Sequence, residues 1–539
     1  MKLKIIDNYI ILFFFFIYLL SGLFIVNSFP VTPDETLHRE NGFISLKYIS
    51  DLFNFDLKLN DFYGDIPFLY EDWRKTYGTL FDLPIAFIEF YFQIEDKKLV
   101  FLIRHIANFL IFYLSCIYFF FLLKNNFKNK YLSLVGVIIL VLSPRIFGHS
   151  FYNSKDIIFL SLLIIAVFYS LKLLREFTYK NFFLSFIFCA FASNIRIIGI
   201  YLPILTIFFY IFSLNKIKKN NLNFILLYLI GFFLILYFSW PYLWLNPLSN
   251  FLTIFSESMN YPAWWNFKIL YFGKYINPEN LPWHYFFFWF FSTTPPFFLF
   301  LIVIGLYQYI KFFIKNFLNI NFKRDIYLWK SNYEMTSIFM LLLFFIPIFF
   351  VITLNSTLYN GWRHLYFVYP AFIYFSIYFL NHLIKENKKG FFKLIILFLS
   401  IQFILNLSFI YKSHPVQNIY FNIFSKKFVQ NKFPIDYWGV GNLRSINELI
   451  KKNNNLVSIS TASYTNLFNL IYSKNIDLKK INLLGTSELS KQESNFLFTN
   501  FYFHDNPKRI KKYIIPKNFI SYQKFYIDNL LINEIFVKK

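Results

Sequence analysis

Two carboxylates stand side by side in Pro33-Asp34-Glu35-Thr36-Leu37-His38-Arg39, just beyond an apolar run, 9–26, that is long enough to cross a bilayer. Ionisable groups this close to hydrocarbon are costly unless something uses or pairs them. Asp34 or Glu35 could deprotonate a hydroxyl or ligate a metal, with His38 one turn further on. Equally, Asp34 could cap a helix while Glu35 and Arg39 form a surface ion pair at i,i+4. Spacing alone leaves the two readings even.

A second constellation is Ser143-Pro144-Arg145-Ile146-Phe147-Gly148-His149-Ser150-Phe151-Tyr152-Asn153-Ser154-Lys155-Asp156, between two apolar runs. Ser154 and Asp156 would suit a helix start, and Lys155 could snorkel to headgroups. Arg145, His149, Lys155 and Asp156 together nevertheless make a charged cluster in a short loop. Asn194-Ile195-Arg196 and Gly361-Trp362-Arg363-His364 occupy equivalent positions at the ends of other runs. Each alone reads as an interfacial anchor. Jointly, Arg145, Lys155, Arg196, Arg363 and His364 offer cations to a phosphate, which guanidinium groups match in a bidentate manner. The strings Trp240–Trp244, Tyr261–Trp265 and Asn280–Tyr285 read mainly as an aromatic belt. Trp283 could stack on a sugar, and His38, His149 and His284 could orient a substrate. Thr293-Thr294-Pro295-Pro296 predicts a kink.

These groups are carried by a chain of 539 residues that is 57% hydrophobic, 24% aromatic and only 15% charged. A soluble domain carries nearer a quarter charged residues, so this is a polytopic membrane protein. The net charge of +24 lies largely in short loops, which argues for topology rather than nucleic acid. Cys116 and Cys189 both fall in apolar runs and give neither a metal site nor a disulfide framework. The N-terminal run, long and without a small-residue cleavage site, reads as an uncleaved anchor. No nucleotide-binding loop, dinucleotide fingerprint or nucleophile elbow is present, so energy must arrive with the substrate.

Apolar runs near 9–26, 99–123, 131–147, 157–174, 181–194, 197–214, 222–240, 284–310, 335–354, 365–381 and 391–411 predict about eleven spans. With that count, the basic sets around Lys124–Lys130, Lys172–Lys180, Lys216–Lys219, Lys311–Arg324 and Lys385–Lys389 share one face, cytoplasmic by the positive-inside rule. The other face receives the loops 27–98, 143–156, 241–283 and 355–364 and the tail from 412. Short external loops should be poor in Arg and Lys, so their cations there need another cause, such as an anionic ligand. Tyr77–Ile94 predicts an amphipathic helix at the interface. In the tail, β-like runs at Leu456–Ser460, Phe496–Phe503, Phe519–Ile527 and Leu531–Val537, a helix at Leu443–Ile450 and a turn at Asp528-Asn529 predict a small α/β or α+β domain. The chain thus divides into a membrane domain, 1–411, and an external soluble domain, 412–539.

A first span followed by Pro33-Asp34-Glu35, then a second loop with Lys155-Asp156, resembles the GT-C glycosyltransferases. These use polyprenyl-phosphate sugars and include protein O-mannosyltransferases and the aminoarabinose transferases of lipid A. Ser143–Asp156, Pro282–Tyr285 with Thr293–Pro296, Gly361–His364 and His414–Asn422 look like a bacterial branch of that group, with the likeness covering roughly 1–425. The resemblance implies Asp34 as catalytic base or acceptor-orienting carboxylate, Glu35 in support, Asp156 as second-loop carboxylate, and Arg145, Lys155, Arg196 and Arg363 as candidates for holding the lipid phosphate. It also implies an inverting hexosyl or pentosyl transfer at the periplasmic face of the inner membrane, to a glycan, lipid or protein hydroxyl. Whether a divalent cation takes part differs across the superfamily. There is no sugar-binding trefoil module of the eukaryotic O-mannosyltransferase kind. A transporter or flippase of lipid-linked sugars is the main alternative, but it would place polar groups near mid-membrane. A non-catalytic envelope scaffold would leave the external cations unexplained.

Overall fold

The computed structural model describes residues 2–55, 57–213, 221–259, 267–318, 329–473 and 476–539. Lys216–Lys219, Lys323, Arg324 and the string Tyr261–Trp265 lie outside the described residues. The chain is mostly helical, with a small sheet near its C-terminus.

Among the described residues, seven helices are long and apolar enough to cross a bilayer: Tyr9–Ser28, Lys97–Phe127, Asp156–Arg175, Pro296–Asn316, Asn332–Thr353, Arg363–Lys385 and Lys389–Lys412. Lys130–Val141 and Pro144–Tyr152 form a pair bent by 70°, and Ile197–Ser213 and Leu222–Phe238 are shorter apolar helices. Two of the expected runs are therefore broken, both by proline. Ser143 is held extended ahead of Pro144 (ψ 109°), and Pro144 opens a new helix at its first position. Thr294 is likewise extended (ψ 135°), so Tyr285–Thr293 ends there and Pro296–Leu318 begins a separate helix. Where a kink was expected at 293–296, the helix stops.

Asp156–Arg175 and Arg363–Lys385 are each 89% buried and form the centre of the bundle, whereas Tyr9–Ser28 is 22% buried and lies at its edge. At one end of the bundle Arg175 Nη2 donates to Asn126 Oδ1 (3.0 Å) and Thr336 Oγ1 (2.7 Å), tying three helix ends together beside the basic loops. The opposite end collects residues 33–92, the bent helix 144–152, the C-terminus of Tyr179–Ile195 and the turn at 361–368. The expected interfacial helix is shorter, Asp82–Tyr91. Its acidic residues turn inward: Asp82 pairs with Arg104 and Glu89 with Arg39, while Phe87, Ile88 and Tyr91 are exposed.

In the tail, β1 (Val457–Thr461), β2 (Ile481–Leu483), β3 (Phe496–Thr499), β4 (Phe519–Ile527) and β5 (Leu530–Lys538) form one sheet in the order β2-β1-β3-β5-β4. The first three strands run parallel, and β4 and β5 form an antiparallel hairpin on the β3 side. Asp528 (φ 51°) and Asn529 (φ 63°) make its turn in the left-handed conformation that suits right-twisted strands. The motif 414–422 acts as a brace. Gln417 Nε2 bonds Ile410 O (3.0 Å), Asn418 Nδ2 bonds Asp436 Oδ1 (3.1 Å), and Asn422 N bonds Ser292 O (2.8 Å). These bonds draw the tail against the end of the bundle that carries the acidic pair.

Candidate active site

The helix Pro33–Leu52 is started by Thr32, not Asp34. Thr32 and Glu35 form a capping box, in which Glu35 Oε1 accepts from Thr32 N at 2.8 Å and from its hydroxyl at 3.0 Å. The other Glu35 oxygen lies 2.7 Å from His105 Nε2. Glu35 is buried and its acceptor capacity is taken up by fold contacts. Arg39 also leaves the expected surface pair and bonds Glu89 (Nε to Oε1, 3.0 Å). Capping by Thr32 frees Asp34. Its side chain remains 34% exposed and touches Arg363 Nη1 at 3.2 Å.

Asp156, at the start of its helix, is buried beneath it. Asn153 rather than Ser154 caps this turn, its Oδ1 accepting from Asp156 N at 2.9 Å and Lys155 N at 3.3 Å. Asn153 Nδ2 then donates to Asp156 Oδ2 at 2.9 Å. Arg363 Nη1 reaches the same oxygen at 3.3 Å, and Arg196 pairs with Oδ1. A chain of alternating charge results, Asp34–Arg363–Asp156–Arg196, drawn from four separate segments.

Each member is held by its own support. Arg363 lies under Trp438 (4.7 Å to the ring centroid) and Tyr359 (5.1 Å). Arg196 follows Asn194, whose Nδ2 bonds Ser239 O (2.8 Å) and whose Oδ1 accepts from Leu80 N (3.0 Å). This stapling needs the backbone at Gly78, where an added Cβ would fall 1.5 Å from Asn194 O. Lys155 places its ammonium 4.3 Å from the Tyr77 ring centroid and, among the described residues, pairs with no carboxylate. Burial and the neighbouring Arg196 cation bring the Lys155 pKa down to about 7. Burial raises the Asp34 carboxyl, with Arg363 opposing and Asp156 adding to the rise. His38 is pushed well down by burial and by Lys155, Arg104 and Arg196, so it stands as a neutral ring near Asp82.

Arg145 is buried on the other side of Arg363. Its guanidinium lies against both Trp289 and Phe421 (5.3 and 4.8 Å to the ring centroids), its Nε bonds Tyr420 O (2.9 Å), and its Nη2 has no partner among the described residues. His149 Nε2, His364 Nε2 and Arg363 Nε are equally buried and unpartnered. Arg145, Lys155, Arg196 and Arg363 therefore outnumber Asp34 and Asp156. Arg145 and Arg363 are buried and Lys155 and Arg196 half-buried, and such an excess of desolvated cations is expensive unless an anion shares the site. Trp283 and His284 are not part of this group: Trp283 is 67% exposed, and His284 Nδ1 meets the Tyr271 hydroxyl at 2.8 Å. The two site carboxylates are already paired with guanidinium groups, and among the described residues no three His, Cys, Asp or Glu side chains gather as ligands.

Several contributors escaped the sequence reading. Arg104 and His105 lie within the second apolar run, a signal that was available because charges are rare in spans. Tyr437 and Trp438 come from the tail, far along the chain from Asp34, and carry no local signal beyond an aromatic pair next to Gly439. No curated protein matches the chain. Residues 84–244 match the family model described as dolichyl-phosphate-mannose-protein mannosyltransferase, a family of the GT-C superfamily. The matched region carries Arg145, Lys155, Asp156 and Arg196 and the helices that place them. Together with the apolar helices, this match over 84–244 indicates a membrane glycosyltransferase of the GT-C type.

Proposed function

We propose that the protein transfers one sugar from a polyprenyl-phosphate-linked donor to a hydroxyl of a glycan, lipid or protein, at the periplasmic face of the inner membrane. One observation carries this reading. A partly exposed carboxylate, Asp34, stands at the mouth of a cation-rich, otherwise buried site at the end of the bundle away from the basic loops.

The acceptor hydroxyl oxygen attacks the anomeric carbon of the donor, and its proton passes to Asp34. The bond from that carbon to the phosphate oxygen breaks, and the lipid phosphate departs with the electron pair. Attack opposite the leaving group inverts the anomeric centre. Lys155, Arg196 and Arg363 meet the charge that grows on the phosphate, as fixed donors do best in a site shielded from water. Arg363 links the two halves, since the guanidinium that steadies the phosphate also orients the base. Burial raises the Asp34 pKa, which makes its carboxylate a better proton acceptor than an ordinary one. Asp156 works through its neighbours, as a positioning residue for Arg196 and Arg363.

The test is transfer of radiolabelled mannose from undecaprenyl-phosphate mannose by the full chain in proteoliposomes, run with other polyprenyl-phosphate sugars in parallel. Transfer or donor cleavage that disappears without Asp34 supports the reading. Undiminished activity in both Asp34→Asn and Asp156→Asn refutes it. A reporter fused after residue 412 should read external; a cytoplasmic signal would overturn the assignment of faces.

A further inference from the structure

The tail reaches the site through Trp438, which stacks on the Arg363 that pairs with Asp34. The carboxyl ends of the parallel strands β1 and β3 point their loops toward the bundle. β2 and β3 flank β1 on opposite sides, so these loops open at the point where strand order reverses, a favoured place for ligands in open sheets. The loop after β1 brings Tyr464, whose backbone N bonds Tyr502 O at 2.8 Å in the loop after β3. Tyr502 fixes this pair to the bundle through Asn360 Oδ1, 3.2 Å from its hydroxyl. Thr465 and Asn500 bond the backbone of Tyr437 (3.0 Å) and Asp436 (3.1 Å), which sets Trp438 against Arg363.

Tyr464 is 37% exposed, and Asn360, which holds Tyr502, stands three positions before the Arg363 that pairs with Asp34. Tyr502 meets the ring edge-on with centroids 5.8 Å apart, and His504 and Phe267 lie at 5.1 and 6.0 Å, so the ring is held in place and only part of it is exposed. The surroundings are basic. Lys512 Nζ lies 5.7 Å from the Tyr464 centroid, and Lys508, Arg509 and Lys511 in the same segment are exposed. Residues 508–517 hold five Lys and Arg and no acid, and residues 412–539 hold nineteen Lys and Arg against eight Asp and Glu.

We propose that the loops after β1 and β3 form the acceptor subsite, with Tyr464 as stacking platform and Lys512 and Arg509 as rim, and that the acceptor is an anionic glycan bearing phosphate or carboxylate groups. This rests on the transfer reading above. An exposed aromatic face stacks on a sugar ring, which offers its hydroxyl to the nearby base. The cations select acidic sugars over neutral ones and lower acceptor affinity as salt rises.

The full chain in neutral phosphatidylcholine nanodiscs is titrated with oligogalacturonate, with maltohexaose as the uncharged counterpart of similar length, and with phosphatidylglycerol nanodiscs. Donor cleavage is measured on the same preparation. Oligogalacturonate should bind at least about tenfold more tightly than maltohexaose. Tyr464→Ala should weaken it about tenfold, Tyr464→Phe should restore it, and Arg509→Glu with Lys512→Glu should remove the salt dependence, all with donor cleavage retained. Equal binding of the two sugars, or no binding by a preparation that still cleaves donor, overturns the subsite alone. Dependence of binding on phosphatidylglycerol rather than sugar also overturns it and assigns the basic segment to lipid headgroups. Loss of the transfer reading would show separately, as donor cleavage that survives Asp34→Asn.

Discussion

Asp34→Asn separates chemistry from stability more cleanly than any other change in the site. The side chain is one-third exposed and, among the described residues, its one ion pair is with Arg363, which keeps Asp156 as a partner when Asp34 is neutralised. A pair of this exposure contributes about 0–1 kcal/mol, so the variant should unfold within about 1 kcal/mol of wild type. A positioned general base contributes about 10²–10⁴ in rate, or about 3–5 kcal/mol in the barrier. The expected result is therefore a normal melting profile with kcat reduced at least about a hundredfold and donor KM little changed. The assay is single-turnover transfer from polyprenyl-phosphate mannose, with detergent melting run on the same sample. The pH dependence gives a second reading. Rate requires the carboxylate, so it rises with pH through the Asp34 pKa, which burial holds above the usual carboxylate range. Arg363→Gln removes the cation that opposes that rise, so its acid limb should move to still higher pH. An Asp34→Asn enzyme retaining more than about a third of wild-type kcat, or an Arg363→Gln limb moving to lower pH, would refute the assignment.

Other substitutions probe the remaining supports. Glu35→Ala orphans Thr32 N and His105, so it should cost about 1–3 kcal/mol of stability; unchanged melting with abolished transfer would return Glu35 to the chemistry. Lys155 loses its proton as pH passes about 7, so donor KM should climb above that pH, and Lys155→Arg, which stays charged, should flatten the climb. Arg145→Met removes a buried cation that, among the described residues, pairs with no carboxylate, but it also breaks the Nε bond to Tyr420 O, so stability should change by no more than about 1–3 kcal/mol while donor KM rises. A less stable Arg145→Met that binds donor normally would make Arg145 a packing residue.

The helical membrane class and the tail's sheet were legible because both rest on periodicity: long apolar runs in one part, alternating short ones in the other. Boundaries at Ser143 and Thr294 were less so. A proline within an apolar run can kink a helix or end it, and only the packing around it decides which. The capping box was also written locally, as Thr32 and Glu35 three residues apart, but the adjacent Asp34 drew attention to its charge instead. Arg39 shows a different limit, because its partner Glu89 lies fifty positions away and competes with the nearer Glu35.

Sequence by itself determined that the chain spans a membrane, that cations gather at the ends of several runs, and that Asp34, Arg145, Lys155, Asp156, Arg196 and Arg363 are candidates for one site. Side-chain type and spacing along the chain suffice for that. Tertiary structure alone decided that Asp156 binds two guanidinium groups, that Glu35 closes a capping box, and that Trp438 of the tail stacks on the Arg363 that pairs with Asp34. Those outcomes depend on which distant groups share a buried volume, where each charge takes the partner that best offsets its desolvation.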